Sequence, residues 1–396
     1  MVRTDPLSYL SEQLASWRQA GTYQRLRVLQ SACEPVATFD GKEVVNLASN
    51  NYLGLADHPK LIEAAVEAAK KYGAGSGAVR TISGTMDIHM KLEEKIAKFK
   101  NVEACVVFQS GFAANAGTVS SVLGPEDHII SDQLNHASII DGARLSKAKI
   151  HVFPHRDASA AAGILRELAE KPGHKVLITD GVFSMDGDIA PLPALVEIAE
   201  QYGAIMMIDD AHSSGVLGRN GRGTVDHFGL HGRVDIQVGT LSKAIGVLGG
   251  YVCGTRDLID FLYARARPFL FSTSHPPSVA ASCIAAFDIL ENEPERIDRL
   301  WENTRYFKGQ LTAAGFNTGD SETPITPIMV GEAKKAHEFS RALFENGMLA
   351  TGIGFPTVPE GKARIRTIVT ATHTRATLDR ALEIVARVGK QMGIIT

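Results

Sequence analysis

The sequence predicts a large α/β domain built on a mostly parallel sheet, joined to a smaller α+β domain. Three observations carry this. Short apolar, β-branched runs alternate with helical segments between about residues 104 and 254, and such alternation implies crossover units over a buried parallel sheet. From about residue 281 the pattern changes to a long helical stretch, short strands and two further helices. The chain has 396 residues, long enough for two or three domains with a sizeable core.

The elements follow in order. Residues 1–45 form an N-terminal helical segment, in which Asp5 can cap a helix, Pro6 suits its first position and Gly21 can stop it. Leu7, Leu10, Leu14 and Trp17 recur at helical spacing, as in a helix packed on its own fold or on a partner subunit. Residues 46–280 form the large domain. A short strand, EVVNLA, precedes the helices LIEAAVEAAKKYG and HMKLEEKIAKFK; then come the runs ACVVF, HIIS, IHVF, KVLITD, AIMMIDD, DIQVGT and YVCG. DASAAAGILRELAEK and LPALVEIAEQYG read as helices between them. Residues 281–396 form the small domain, opening with one long helix near 281–314 and continuing with the strands PITPIMV and ARIRTIV.

Composition excludes several classes. Lys and Arg number 41 against 44 Asp and Glu, so no strong field favours nucleic acid or an anionic membrane. The N-terminus lacks the apolar region and cleavage site of a signal peptide, and no apolar stretch approaches a membrane-spanning length. Cys33, Cys105, Cys253 and Cys283 form no C-x-x-C pair and no metal site; Cys105 and Cys253, inside apolar runs, read as small buried hydrophobes, and four scattered thiols suggest a reducing cytosol.

In open parallel sheets, ligand groups gather beyond the carboxyl ends of strands. Five strand ends, taken in chain order, deliver QSGFAANAG, DQLNHASIIDG, DGVFSMDGD, DDAHSSGVLG and TLSKAIG. Ser110-Gly111-Phe112-Ala113 joins a strand to a helix, so backbone N–H groups can face an anion, or it is simply a tight connection. Gly73-Ala74-Gly75-Ser76-Gly77-Ala78 satisfies the dinucleotide pattern literally, but it follows a helix where that fingerprint needs a strand. Asp209 can lie buried against a cationic nitrogen with His212 aimed at the same ligand; a capping Asp with a structural His, or a metal pair short of a third ligand, are the alternatives. Lys243 follows a buried strand, where desolvation makes a lysine nucleophilic toward a carbonyl, although an exposed loop lysine is the commoner case. Thr240 and Ser242 can contact a phosphate, and His136 can stack on a ring. A phosphate cradle, an acid for a ring nitrogen, a His for a ring hydroxyl and a Schiff-base lysine are the groups that pyridoxal 5'-phosphate needs.

These residues, in this order, resemble the α-oxoamine synthase family of fold-type-I pyridoxal-phosphate enzymes. The resemblance runs along nearly the whole chain, through NLASNNYLGLADHP, GAGSGAVRTISGT, SGFAANAG, SDQLNHASIIDGARL, TDGVFSMDGDIAPL, IDDAHSSGVLG, GTLSKA, RPFLFSTSHPP and ARIRTIVTATHT. It implies an aspartate-aminotransferase-like fold and a homodimer with active sites at the subunit interface. It implies a reaction between an amino acid and an acyl-CoA, with Lys243 as Schiff-base lysine and general base. Asp209 is then the pyridinium partner, His212 the donor to the phenolic oxygen, His136 the stacking histidine and Ser184 a further cofactor contact. Gly111, Phe112 and Thr240 match the phosphate loop, and Thr273 and Ser274 the segment reaching the phosphate from the other subunit. Arg366 matches the arginine that holds the substrate carboxylate, and Asn50 the asparagine near the substrate. Arg25 or Arg27 falls where some members place another substrate arginine.

Within the family, SDQLNHASIIDGARLSKAK, DGVFSMDGDIAPL and GRVDI look more like glycine C-acetyltransferase, which joins glycine to acetyl-CoA. The SGFAAN loop looks more like 8-amino-7-oxononanoate synthase, which uses alanine and a pimeloyl thioester. The first is the expectation taken forward, with broad acyl-CoA tolerance; an aminotransferase on the same fold is a further alternative.

Overall fold

The computed structural model describes residues 5–23 and 25–396. In chain order the strands are β1 (Val36–Phe39), β2 (Lys42–Asn46), β3 (Ala104–Phe108), β4 (His128–Asp132), β5 (Lys149–Phe153), β6 (Lys175–Asp180), β7 (Ile205–Asp209), β8 (Ile236–Thr240), β9 (Gly250–Gly254), β10 (Ile325–Gly331), β11 (Met348–Leu349), β12 (Thr351–Ile353) and β13 (Ala363–Ile368). The chain divides into two compact units. One comprises the N-terminal segment to Ser49 with Glu302–Ser321 and Ile325–Thr396; the other comprises Asn50–Trp301 and Glu322–Pro324.

The larger unit holds a seven-stranded sheet in the order β3-β9-β8-β7-β6-β4-β5. β9 runs antiparallel to β3 and β8, and the remaining pairs are parallel. This is the α/β core that the sequence predicts, with all seven apolar runs in place. Strands buried on both faces read as near-continuous apolar runs, and the two-residue side-chain period splits them between two cores. Ile129, Val176, Ile178 and Met207 fall in one cluster; Ile130, Leu177, Met206 and Ile208 fall in the other. Helix Ala158–Leu168 and helix Leu192–Tyr202 cover the second face with Ala161, Leu165, Leu195 and Val196, a helical spacing.

The other unit contains two three-stranded sheets, β1-β2-β11 and β10-β13-β12. Helix Ala333–Glu345 buries Ala336, Phe339 and Leu343, and helix Arg375–Gln391 buries Leu378, Ala381 and Val385, again at three- and four-residue spacing.

Two expectations are corrected. The long helix near 281–314 is two helices, Pro277–Asn292 and Glu295–Ala313. Pro294 supplies no N–H and disfavours helical geometry at Glu293, whose φ and ψ are −126° and 61°. The N-terminal helix spans Ser8–Gln19, with Leu7 rather than Asp5 at its cap; Asp5 instead accepts a 2.9 Å hydrogen bond from the Leu7 N–H. No residue of that helix is buried, and Trp17 is 51% exposed. Among the described residues, no helix is long and apolar enough to cross a membrane.

Candidate active site

Three adjacent parallel strands of the sheet, β7, β6 and β4, each end on a buried aspartate: Asp209, Asp180 and Asp132. Asp180 and Asp209 are register partners across β6 and β7. Two buried carboxylates side by side resist joint ionisation. Burial, and then the Asp209 charge, hold the Asp180 carboxyl well above the usual carboxylate range, while Lys243 opposes this. Asp180 Oδ2 accepts from the His136 N–H at 3.0 Å. Asp209 is held on both oxygens, by the Ala211 N–H at 2.8 Å and by Asn115 Nδ2 at 2.6 Å.

Around these ends lies a cavity of about 220 Å³. Its lining includes Gly111, Phe112, His136, Ser184, Asp209, His212, Thr240, Ser242 and Lys243, so nine of the residues selected from sequence converge on one space. Asp180, Ser138, Val182 and Ala211 complete it.

One wall is the start of helix Gly111–Val122. Ser110 caps it by accepting from the Ala113 N–H at 3.0 Å, and the unpaired N–H groups of a first turn favour an anion. The wall stays thin because glycines let backbones touch. A Cβ at Gly111 would lie 3.3 Å from Thr240 Cβ, and one at Gly250 would lie 2.4 Å from the Ser110 carbonyl oxygen. Thr240 Oγ1 donates to the Gly249 carbonyl at 2.9 Å, fixing the hydroxyl at the tip of β8.

The two histidines are oriented from behind. His136 caps helix Ala137–Ser146 through Nδ1, which accepts from the Ser138 N–H at 3.2 Å. Burial and the nearby Lys243 charge hold its imidazole below the ordinary value, against the pull of Asp209. His212 Nδ1 lies 2.8 Å from Tyr52 Oη, with the two rings edge-on at 6.1 Å. The turn carrying His212 is anchored by a fully buried ion pair, Lys100 Nζ to Asp210 Oδ2 at 2.7 Å. Among the described residues, no group of three or more His, Cys, Asp or Glu could hold a metal ion.

Thr273, Ser274 and Asn50 are not among the cavity's lining residues. Ser274 Oγ donates to the Gly84 carbonyl at 2.7 Å, and Thr273 forms a bridge with Val79. Arg366 lies in β13 of the other unit, opposite Pro327 and Thr351. The Gly73–Ala78 segment follows helix Pro59–Tyr72 rather than a strand, as the rejection of a dinucleotide site requires.

The profile of the aminotransferase class I and II family matches residues 42–385. The chain belongs to this family. Among curated relatives of this family member, the 8-amino-7-oxononanoate synthase of Symbiobacterium thermophilum is 62% identical over 387 residues, covering 98% of this chain and 99% of the relative. The 8-amino-7-oxononanoate synthase 1 of Bacillus subtilis is 54% identical over 392 residues, covering 99% and 100%. Among solved structures, a serine palmitoyltransferase from S. paucimobilis with bound PLP–myriocin is 32% identical with a TM-score of 0.93, covering 99% of this chain and 100% of that one.

The family member thus has the fold-type-I transferase architecture that the resemblance implies. The expectation of a glycine C-acetyltransferase is overturned: the relatives at 62% and 54% identity carry the other name. The runs that favoured the acetyltransferase include His136 and Ser184, which line the cavity beside Lys243. Those runs therefore describe the surroundings of Lys243 and say little about the acyl chain.

Sequence reasoning missed Asp180, Asn115, Tyr52 and Lys100. Asp180 was findable by the same strand-end rule that found Asp209. Asn115 lies one turn into the helix that forms the cavity wall, whereas Tyr52 and Lys100 act from remote elements that only the fold brings to the site.

Proposed function

We propose that this chain makes 8-amino-7-oxononanoate from alanine and a pimeloyl thioester. The observation that carries the reading is the identity, 62% over 98% of the chain, to a synthase of that name, together with a cavity that keeps Lys243, Asp209, His212 and His136 in one place. The product's carbon skeleton names the substrates. Its seven-carbon acid portion corresponds to a pimeloyl group, and the two remaining carbons with the amine correspond to alanine after loss of carbon dioxide.

The chain is a pyridoxal-phosphate-dependent acyltransferase. The residues present fit that cofactor: the glycine-thinned wall at Gly111 and Thr240 leaves an anion cradle, Asp209 faces the cavity as a doubly held carboxylate, and Lys243 shares the space. When bound, the cofactor would supply a conjugated ring able to take up the electrons of a carbanion at the amino acid's Cα, and Lys243 is the residue that would hold its aldehyde carbon. In this reading Gly111 and Phe112 N–H groups and the Thr240 hydroxyl hold the phosphate. Asp209 would keep a proton on the pyridine nitrogen, His212 would donate to the ring oxygen, and Ser184 and His136 would add contacts to the ring. Lys243 would take the α-proton of alanine as general base. The family resemblance assigns substrate contacts to Asn50 and Arg366, the latter as the charge-assisted partner of a carboxylate. Cα would then bond to the thioester carbonyl carbon as the thiol leaves, and after carbon dioxide is lost from Cα that carbon would regain the proton taken by Lys243.

The same reading makes the protein a cytoplasmic homodimer, with residues 46–280 as the cofactor domain, 281–396 as the small domain, and Thr273 and Ser274 reaching the phosphate of the opposite subunit. The test is a matrix of glycine, alanine and serine against acetyl-CoA and pimeloyl-CoA, read as kcat/KM. Alanine with pimeloyl-CoA should lead, with one equivalent each of thiol and carbon dioxide released. A higher kcat/KM for glycine with acetyl-CoA would overturn the reading.

A further inference from the structure

The third strand-end carboxylate, Asp132, has a partner that the proposed reaction does not use. His155 Nδ1 lies 3.0 Å from Asp132 Oδ1, and His155 Nε2 lies 2.7 Å from Asp188 Oδ2. Carboxylate oxygens only accept, so an imidazole bonded to two of them must carry a proton on each nitrogen. Both carboxylates are buried, with side-chain exposures of 1% and 7%, and the ring packs edge-on against Phe183 at 4.3 Å.

Each carboxylate also ties down a loop that carries a cavity residue. Asp132 Oδ1 accepts from the Leu134 N–H at 2.8 Å, two residues before His136. Asp188 belongs to the loop closed by the Val182–Ile189 bridge, which carries Ser184. Arg156 joins the cluster: its N–H donates to Asp132 Oδ2 at 2.8 Å, and its guanidinium meets Asp188 and Glu322, each at 3.3 Å. Its backbone is held at φ 60°, a region that non-glycine residues rarely adopt. Glu322 Oε1 in turn accepts from the Ile189 N–H at 3.2 Å.

We propose that His155 is a positioning residue: as an imidazolium bridging Asp132 and Asp188, it locks the loop of Ser184 to the loop of His136 and so sets the shape of the cofactor cavity. This rests on the functional reading above. The charged groups facing it are Asp132 and Asp188, with Arg156 and, through Arg156, Glu322. The hydrogen bonds to both carboxylates outweigh burial and raise the imidazole to about 9, so the clamp is charged at neutral pH and is lost as pH rises through that value.

The test compares wild-type protein with His155→Gln and the isosteric Asp188→Asn. Apoprotein is titrated with pyridoxal phosphate by equilibrium dialysis from pH 7 to 10, and deuterium uptake is followed in peptides covering 133–136 and 182–190. Each variant should hold the cofactor about tenfold more weakly at pH 7, the size of one charge-assisted hydrogen bond. Both peptides should exchange faster, and the double variant should be no worse than either single one. The ratio of wild-type to His155→Gln affinity should shrink toward one as pH passes about 9. A purely structural role would leave that ratio flat with pH. A flat ratio, or wild-type affinity and exchange in both variants, overturns the proposal. Failure of the underlying reading shows separately: Lys243→Ala protein would then keep the same visible absorbance as wild type when loaded.

Discussion

Replacing Lys100 with methionine should destabilise the larger unit severely. Lys100 and Asp210 are 1% and 0% exposed in their side chains and meet at 2.7 Å. Lys100 Nζ also donates to the Arg222 carbonyl, and Asp210 accepts from Ser213 Oγ and the Thr224 N–H. Removing only the cation leaves a buried carboxylate with two neutral donors, and breaking one side of a buried pair costs about 3–5 kcal/mol. Urea unfolding followed by Trp301 fluorescence reads this directly. Trp301 Nε1 donates to the Val216 carbonyl at 2.9 Å, close in sequence to the affected turn. Trp17 is the second of the two tryptophans and is already 51% exposed, so it adds little signal. Adding Asp210→Asn to Lys100→Met should recover at least half of the loss, because the uncompensated charge is gone while Asn still accepts from Thr224. A loss under about 1 kcal/mol for Lys100→Met would refute the reasoning, since that is the range of an exposed pair. So would a double variant no more stable than the single one.

Three further outcomes follow. Gly250→Ala should push the Ser110–Gly111 backbone out of place and weaken cofactor retention in dialysis; Gly163→Ala, whose Cβ would meet nothing within 4 Å inside helix Ala158–Leu168, should instead stabilise the fold by about 0.5–1 kcal/mol. Tyr52→Phe removes the 2.8 Å contact to His212 Nδ1 and should lower kcat about tenfold with little change in melting temperature. Burial holds His275 and His373 at about 4, so between pH 6.5 and 4 the unfolded chain binds protons that the folded chain refuses. Stability should therefore fall as pH drops through that window, and the urea midpoint of His373→Gln should fall less steeply between pH 7 and 5.

The sheet was legible because six of its seven strands are buried on both faces and so are written as apolar runs; the edge strand β5 is largely exposed. Asp209, Thr240 and Lys243 were legible because parallel strands deliver their following residues to a common edge. Other features escaped for physical reasons. The break between the helices at Glu293 rests on one proline inside an otherwise helical pattern. Asn115 sits one turn into a small-residue helix, where nothing local distinguishes a polar side chain that supports Asp209 from one facing solvent.

The sequence by itself determined the strand order along the chain, the chemical types at each strand end and hence the family of reaction, because these depend on local periodicity and on residues adjacent in the chain. Only the tertiary structure decided which acids become neighbours. β6 lies between β7 and β4 although β5 intervenes in sequence, and that order sets Asp180 beside Asp209 and brings His155 across to Asp132 and Asp188. Proton affinities depend on distances through space and on burial, and neither is a property of spacing along a chain.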